Sequence, residues 1–178
     1  MRGDDDTSGE VALGPATDDR GAMTGDARLS ELQEALDRSL RNASPFTRSL
    51  FEGVQWDAER VARFVNANRN VTISTVTFAG EPHASVVIGA CVDETIHFTV
   101  APRSLLARTL AHTPHVAFTI CDHAHAIMGK GVAVVAARSL DDPDLITRLA
   151  AATEHGLFTP PGWDGLVYRI EIDRIFAS

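Results

Sequence analysis

From Val71 to Ala137 the chain runs through short β-branched segments cut by turn signals and interrupted once by a helical stretch. Val71–Phe78 places Val71, Ile73, Thr75 and Thr77 on one side and Thr72, Ser74, Val76 and Phe78 on the other, the two-residue period of a strand. Ala79-Gly80-Glu81-Pro82 reads as a turn and His83–Val92 as the returning strand. Asp93-Glu94 predicts a tight turn into a third strand, Thr95–Val100. Ser104–His112 carries Leu105, Leu106 and Leu110 at helical spacing, and Pro114 blocks its continuation. His115–Cys121 and Ala124–Ala137 are the fourth and fifth strands, the latter with glycines where a barrel strand bends. Leu166–Phe176 alternates again and predicts a sixth. Strands this closely spaced pair as antiparallel hairpins.

The flanks read as helices. Ser30 is placed to cap Glu31–Arg41, whose Leu32, Leu36 and Leu40 form one apolar stripe. Asn42 to Gln55 reads as irregular, with Pro45 and Gly53 as breakers and Phe46, Leu50 and Phe51 docking on the core. Asp57 is a second cap, followed by Val61, Phe64 and Val65 at helical spacing. Asp141-Asp142-Pro143 starts a helix that runs through Glu154. Gly156 to Gly165 is a loop, and Trp163 within it suits a ligand lid, a dimer contact or peripheral packing alike.

Composition changes this picture at the N-terminus. The net charge of the 178 residues is −8, but residues 1–31 hold eight acids against three arginines, a net of −5. Residues 1–29 are therefore expected to be a disordered acidic tail, poor in large apolar groups, ahead of one domain over 30–178. No basic stripe interleaved with aromatics is present, which argues against nucleic acid as a partner. No apolar run reaches the ~20 residues of a membrane span. The start lacks the pattern of a signal peptide, so the expected location is the cytoplasm. Cys91 and Cys121 sit in apolar runs and read as buried free thiols.

The chain carries no paired-cysteine zinc pattern, no phosphate loop and no nucleophile elbow. His123-Ala124-His125, if on a strand, would turn both imidazoles to one side, toward a metal or a haem. A polar turn is the simpler reading, and no metal is expected. Arg103-Ser104 is a stronger candidate. A helix start offers unpaired N–H groups, Ser104 is a good cap, and Arg103 and Arg108 add guanidinium groups that can grip a phosphate. The simpler reading there is a capped surface helix with two solvated arginines. Lys130 is the only lysine, and between Gly129 and Gly131 it is either a ligand contact or a solvated residue at a bulge.

At these residues the chain resembles the pyridoxamine-phosphate-oxidase-like family of split β-barrel flavin-binding proteins. The likeness covers roughly residues 56–176, through DAERVARFVNANRN, ISTVTFAGEPHASVV, IHFTVAPRSLLARTLAHTPHVAFTI and MGKGVAVV. It implies a mainly β fold with flanking helices, a six-stranded antiparallel split barrel that binds FMN, and a homodimer with equivalent sites at its interface. It implies that Ser85, Val86 and Val87 lie along the ring system and Phe98 and Thr99 beside the ribityl chain. Arg103, Ser104 and Arg108 would surround the phosphate, with Lys130 nearby. The implied function is hydride or electron transfer between flavin and a small organic substrate, with no catalytic side chain assigned. The alternatives are an 8-hydroxy-5-deazaflavin-dependent reductase, a haem-binding protein using His123 or His125, and a non-catalytic relative. One departure stands out. Where the family shows Ser-x-Lys-x-x-Asn, this chain has Ser104, Leu106 and Thr109. The lost Lys contact corresponds to about 1.5–3 kcal/mol, roughly ten- to a hundredfold in affinity.

Overall fold

The computed structural model describes residues 25–153, 159–160 and 162–178. The expected tail before residue 25, and Glu154 at the expected end of the last helix, lie outside the described residues. Three helices come first: α1 (Gly25–Arg41), α2 (Pro45–Phe51) and α3 (Ala58–Asn68). Then follow β1 (Asn70–Val76), β2 (Pro82–Val92), β3 (Thr95–Val100), α4 (Leu105–His112), β4 (His115–Cys121), β5 (Ala126–Arg138), α5 (Pro143–Ala152) and β6 (Leu166–Ala177).

The six strands close into an antiparallel barrel in the order β1-β2-β3-β6-β5-β4. The seam is short: Thr72 pairs with Thr119, Ile73 with Phe118 and Ser74 with Ala117. The strand period explains why closure is favourable. Val71, Ile73 and Thr75 of β1 and Val116, Phe118 and Ile120 of β4 all turn inward and are buried. Each fully buried side chain of this size contributes about 1.5–3 kcal/mol. One extra residue on β6, Asp173, and one on β5, Ala136, shift the β5–β6 register. Such bulges sharpen the bend that closure needs.

The helices fill what the sheet leaves open. Leu32 and Leu36 of α1, Val61 and Val65 of α3, and Leu106 and Leu110 of α4 join the barrel core. Leu145 and Leu149 of α5 form a second, smaller core with Ala90 and Val167 on the outer side of β2 and β6. Asp57, Ser104 and Asp142 cap α3, α4 and α5, each accepting a backbone N–H from three residues on.

Four expectations are corrected. Helix α1 starts at Gly25, so Ser30 lies inside it rather than capping it. The stretch read as irregular holds α2, because Ser44 caps it and Pro45 occupies the first turn, where its missing N–H costs nothing. Phe46 is 73% exposed and Leu50 is also exposed; only Phe51 docks, stacking on Phe176 at 4.9 Å. Cys91 is buried and its thiol is pushed up to about 12 by burial, whereas Cys121 is exposed, since the alternation of β4 turns it outward. No described helix is long and apolar enough to cross a membrane.

Buried Ser39 ties α1 to the barrel. Its Oγ donates to the Ala35 carbonyl and accepts the N–H of Ile175 at 2.8 Å, two residues past the β6 bulge. Ser39→Ala leaves that buried N–H without a partner and is expected to cost about 1–3 kcal/mol. Exposed Ser49, bonded only to Phe46 O, serves as control. Urea unfolding of the two alanine variants checks the difference.

Candidate functional site

One broad outer face of the barrel carries no described helix. Directly opposed residues of antiparallel strands share a face. The register therefore builds two rows across it. Val86, Thr72, Thr119 and Met128 form one, running from β2 across β1 and β4 to β5. Ala84, Ser74, Ala117 and Lys130 form the other, and Lys130 continues to Arg174 on β6. All but half-buried Thr72 are exposed, and Val86 is 70% exposed. Small and β-branched side chains leave this face flat enough to receive a planar ring system. Phe78, 92% exposed at the β1–β2 turn, rests edge-on against His112 at the end of α4.

The start of α4 supplies the polar end. Ser104 accepts the N–H of Ala107 at 3.1 Å, which leaves the N–H groups of Leu105 and Leu106 without an acceptor in the helix. Arg103 and Arg108 are exposed, and no described residue engages either guanidinium. Elsewhere Arg138, Arg148 and Arg169 each hold a carboxylate. Two uncommitted guanidinium groups beside a helix N-terminus make a donor set suited to a phosphate.

Lys130 lies outward because its neighbours cannot. A Cβ at Gly129 would collide with the Phe118 ring, and one at Gly131 with the Glu171 carbonyl oxygen. The Gly-Lys-Gly run thus has a packing cause, and the bulge expected there is present. Sequence reading missed Arg174, which opposes Lys130 directly. Two like charges in that position repel each other unless an anion lies near. Only the strand register reveals this pairing, since the two lie 44 positions apart in the chain.

The other expected contacts divide by orientation. Ser85 and Val87 lie opposite Ile73 and Val71 and so face the barrel interior with them, half-buried. Ser85 shares a hydrogen bond with His83 Nε2 at 2.9 Å. Phe98 is wholly buried and stacks on Tyr168 at 5.4 Å, so its side chain belongs to the core rather than to a surface site. Half-buried Thr99 lies 3.5 Å from the Ile88 carbonyl. Leu106, where a Lys was sought, is buried in the core. A cation at that position would be desolvated, whereas the exposed Arg103 and Arg108 lie on either side of it.

His123-Ala124-His125 is not a strand. β5 begins at Ala126, and Asp122 Oδ1 accepts the N–H groups of Ala124 and His125, both at 2.7 Å. Those bonds hold the Asp122 carboxyl below the usual range. His125 packs against Trp56, ring centres 5.1 Å apart, while His123 is exposed. Among the described residues no group of three His, Cys, Asp or Glu could hold a metal ion. Trp163 is half-buried over Gly165, and its carbonyl accepts from Ser139 Oγ.

No known family profile matches the chain, and no curated protein matches it. Several solved structures share its fold. A conserved hypothetical protein from Mycobacterium tuberculosis is 22% identical with a TM-score of 0.56, over 68% of this chain and 84% of that one. A heme binding protein from Mycobacterium smegmatis is 22% identical with a TM-score of 0.53, over 70% of this chain and 55% of that one. A protein described as an F420 reductase is 18% identical with a TM-score of 0.50, over 63% of this chain and 92% of that one. At these identities the likeness establishes the fold, a six-stranded split β-barrel.

Proposed function

We propose that this chain is a cytoplasmic, homodimeric FMN-binding oxidoreductase that moves hydride or electrons between flavin and a small organic substrate. The observation that carries the reading is the uncovered sheet face ending at the unengaged Arg103 and Arg108 of the α4 start. A flavin mononucleotide needs both parts, an apolar platform for its rings and an anion site for its phosphate. Val86 and Met128 would flank the rings, with Lys130 and Arg174 adding positive charge at the far edge. When bound, the flavin would supply the redox chemistry; the chain binds, orients and shields it. Exposed Val76, Phe78 and Val86 border the same face, and a second copy laid over it would cover them and exclude water.

The second reading is a deazaflavin, 8-hydroxy-5-deazaflavin, favoured by the F420 reductase among the fold's neighbours. It would use the same platform and anion site. Haem is the weaker fit, although one neighbour is a heme binding protein. His123 and His125 lie in a tight turn, and the His125 ring packs at a tilt against Trp56.

The absorbance spectrum of the purified protein, incubated with each candidate and desalted, decides among these. Two visible bands of bound flavin are expected. A single violet band with strong fluorescence indicates the deazaflavin, a Soret band indicates haem, and a colourless protein refutes cofactor binding. The anion site has its own test. Replacing both Arg103 and Arg108 by alanine removes two charge-assisted contacts and is expected to weaken FMN roughly ten- to a hundredfold. Fluorescence titration measures this, and unchanged affinity would place the phosphate elsewhere.

A further inference from the structure

A cavity of about 700 Å³ lies on the outside of β3 and β6, between α1 and α5. It is at the opposite end of β3 from α4, about 20 Å along the strand from the anion site. Leu145 and Val92, which pack together on this outer side, supply apolar wall. Its polar lining comes from the Asp93-Glu94 turn, His97 and several surface charges.

Three features of that lining are unexplained by folding alone. His97 is 7% exposed, and its Nδ1 lies 3.0 Å from the Thr95 carbonyl. A carbonyl only accepts, so Nδ1 carries the proton. Burial pushes the imidazole below its usual range and keeps it neutral, which makes Nε2 a bare acceptor. No described residue donates to it. Glu94 Oε2 is likewise cut off from solvent with no donor, and burial raises that carboxyl. Finally, Asp93 and Glu94 both take positive φ, 48° and 57°, where turns of this kind favour Asn-Gly. Arg148 clamps the turn through Asp93 at 2.7 Å. The hairpin thus holds an unfavourable backbone conformation that leaves a buried carboxylate oxygen unpaired.

The charge balance names the ligand class. The lining arginines are committed: Arg148 to Asp93, Arg169 to Glu171, and Arg38 to the Ile172 carbonyl at 3.1 Å. Glu31, Glu34, Glu94 and Asp173 have no cation among the described residues. The inner groups are acceptors, the surrounding field is negative and one side of the wall, at Leu145 and Val92, is apolar.

We propose that this cavity is a second ligand site, separate from the uncovered sheet face, and that it takes an organic ammonium ion with an apolar body. The ammonium donates to Glu94 Oε2 and His97 Nε2, and the apolar body lies along Leu145 and Val92. The chain's own first 24 residues suit the cavity poorly, since they hold six acids and two arginines.

The probes are n-hexylammonium, hexanol and hexanoate, titrated into the isotopically labelled full chain. The His97 ring and Val92 methyl resonances are followed. Hexylammonium is expected to give saturable shifts at both residues, with hexanol and hexanoate binding far more weakly. Glu94→Gln keeps the side-chain shape and is expected to weaken hexylammonium roughly ten- to a hundredfold. His97→Asn gives a second variant should the first disturb the turn, and a loss of hexylammonium binding is expected there too. Hexanol or hexanoate binding as tightly as the ammonium, undiminished binding in both variants, or no saturable shift at His97 would each overturn the proposal. None of these outcomes depends on whether the chain binds a flavin.

Discussion

The β1–β4 seam turns an open sheet into a barrel, and the placement of everything else follows from that closure. Three residue pairs make the seam, and Ile73 and Phe118 at its centre are buried inside. Closure fixes which half of each strand faces in. The outward half can then be covered, as α5 covers β2 and part of β6, or left bare. It stays bare over β1, β4 and the adjoining parts of β2 and β5. Closure also forces close approaches at the wall. Gly89, Gly129 and Gly131 stand where a Cβ would strike Val71, Phe118 and the β6 backbone.

A division of charge follows the same geometry. The uncovered face is bordered by cations without partners among the described residues: Arg103 and Arg108 at the α4 start, and Lys130 with Arg174 across the β5–β6 pair. The cavity at the other end of β3 is rich in acids whose nearest arginines are already paired. Neither set balances itself, and a chain with net charge −8 has no shortage of carboxylates to quench the first. Leaving such groups unpaired is unfavourable for folding alone, and it suits a surface that meets an anion on one side and a cation on the other.

Much of the barrel was legible because one face of every strand must be apolar. The bounds of β3 and β4 fall where Asp93-Glu94 and Pro114 signal them, and the caps Asp57, Ser104 and Asp142 lie where helix-start chemistry places them. The failures have physical causes too. Pro45 breaks a helix in its interior and starts one in its first turn, and only the Ser44 cap separates the two cases. His125 reads as strand until Asp122 is seen to capture its N–H. Phe98 has the same local pattern as a site residue, yet the barrel interior takes it. The Lys130–Arg174 pair and the grouping of His97 with Glu94 and the α5 wall depend on register and helix packing, which no local pattern encodes.

The central claim is that the uncovered face and the α4 start act together, one on a ring system and the other on a phosphate. Calorimetric titration with FMN and with riboflavin, which has the same rings without the phosphate, separates the two contributions. The account predicts FMN binding tighter than riboflavin by roughly tenfold or more, with riboflavin binding retained. Equal affinities, or binding of neither, would contradict it.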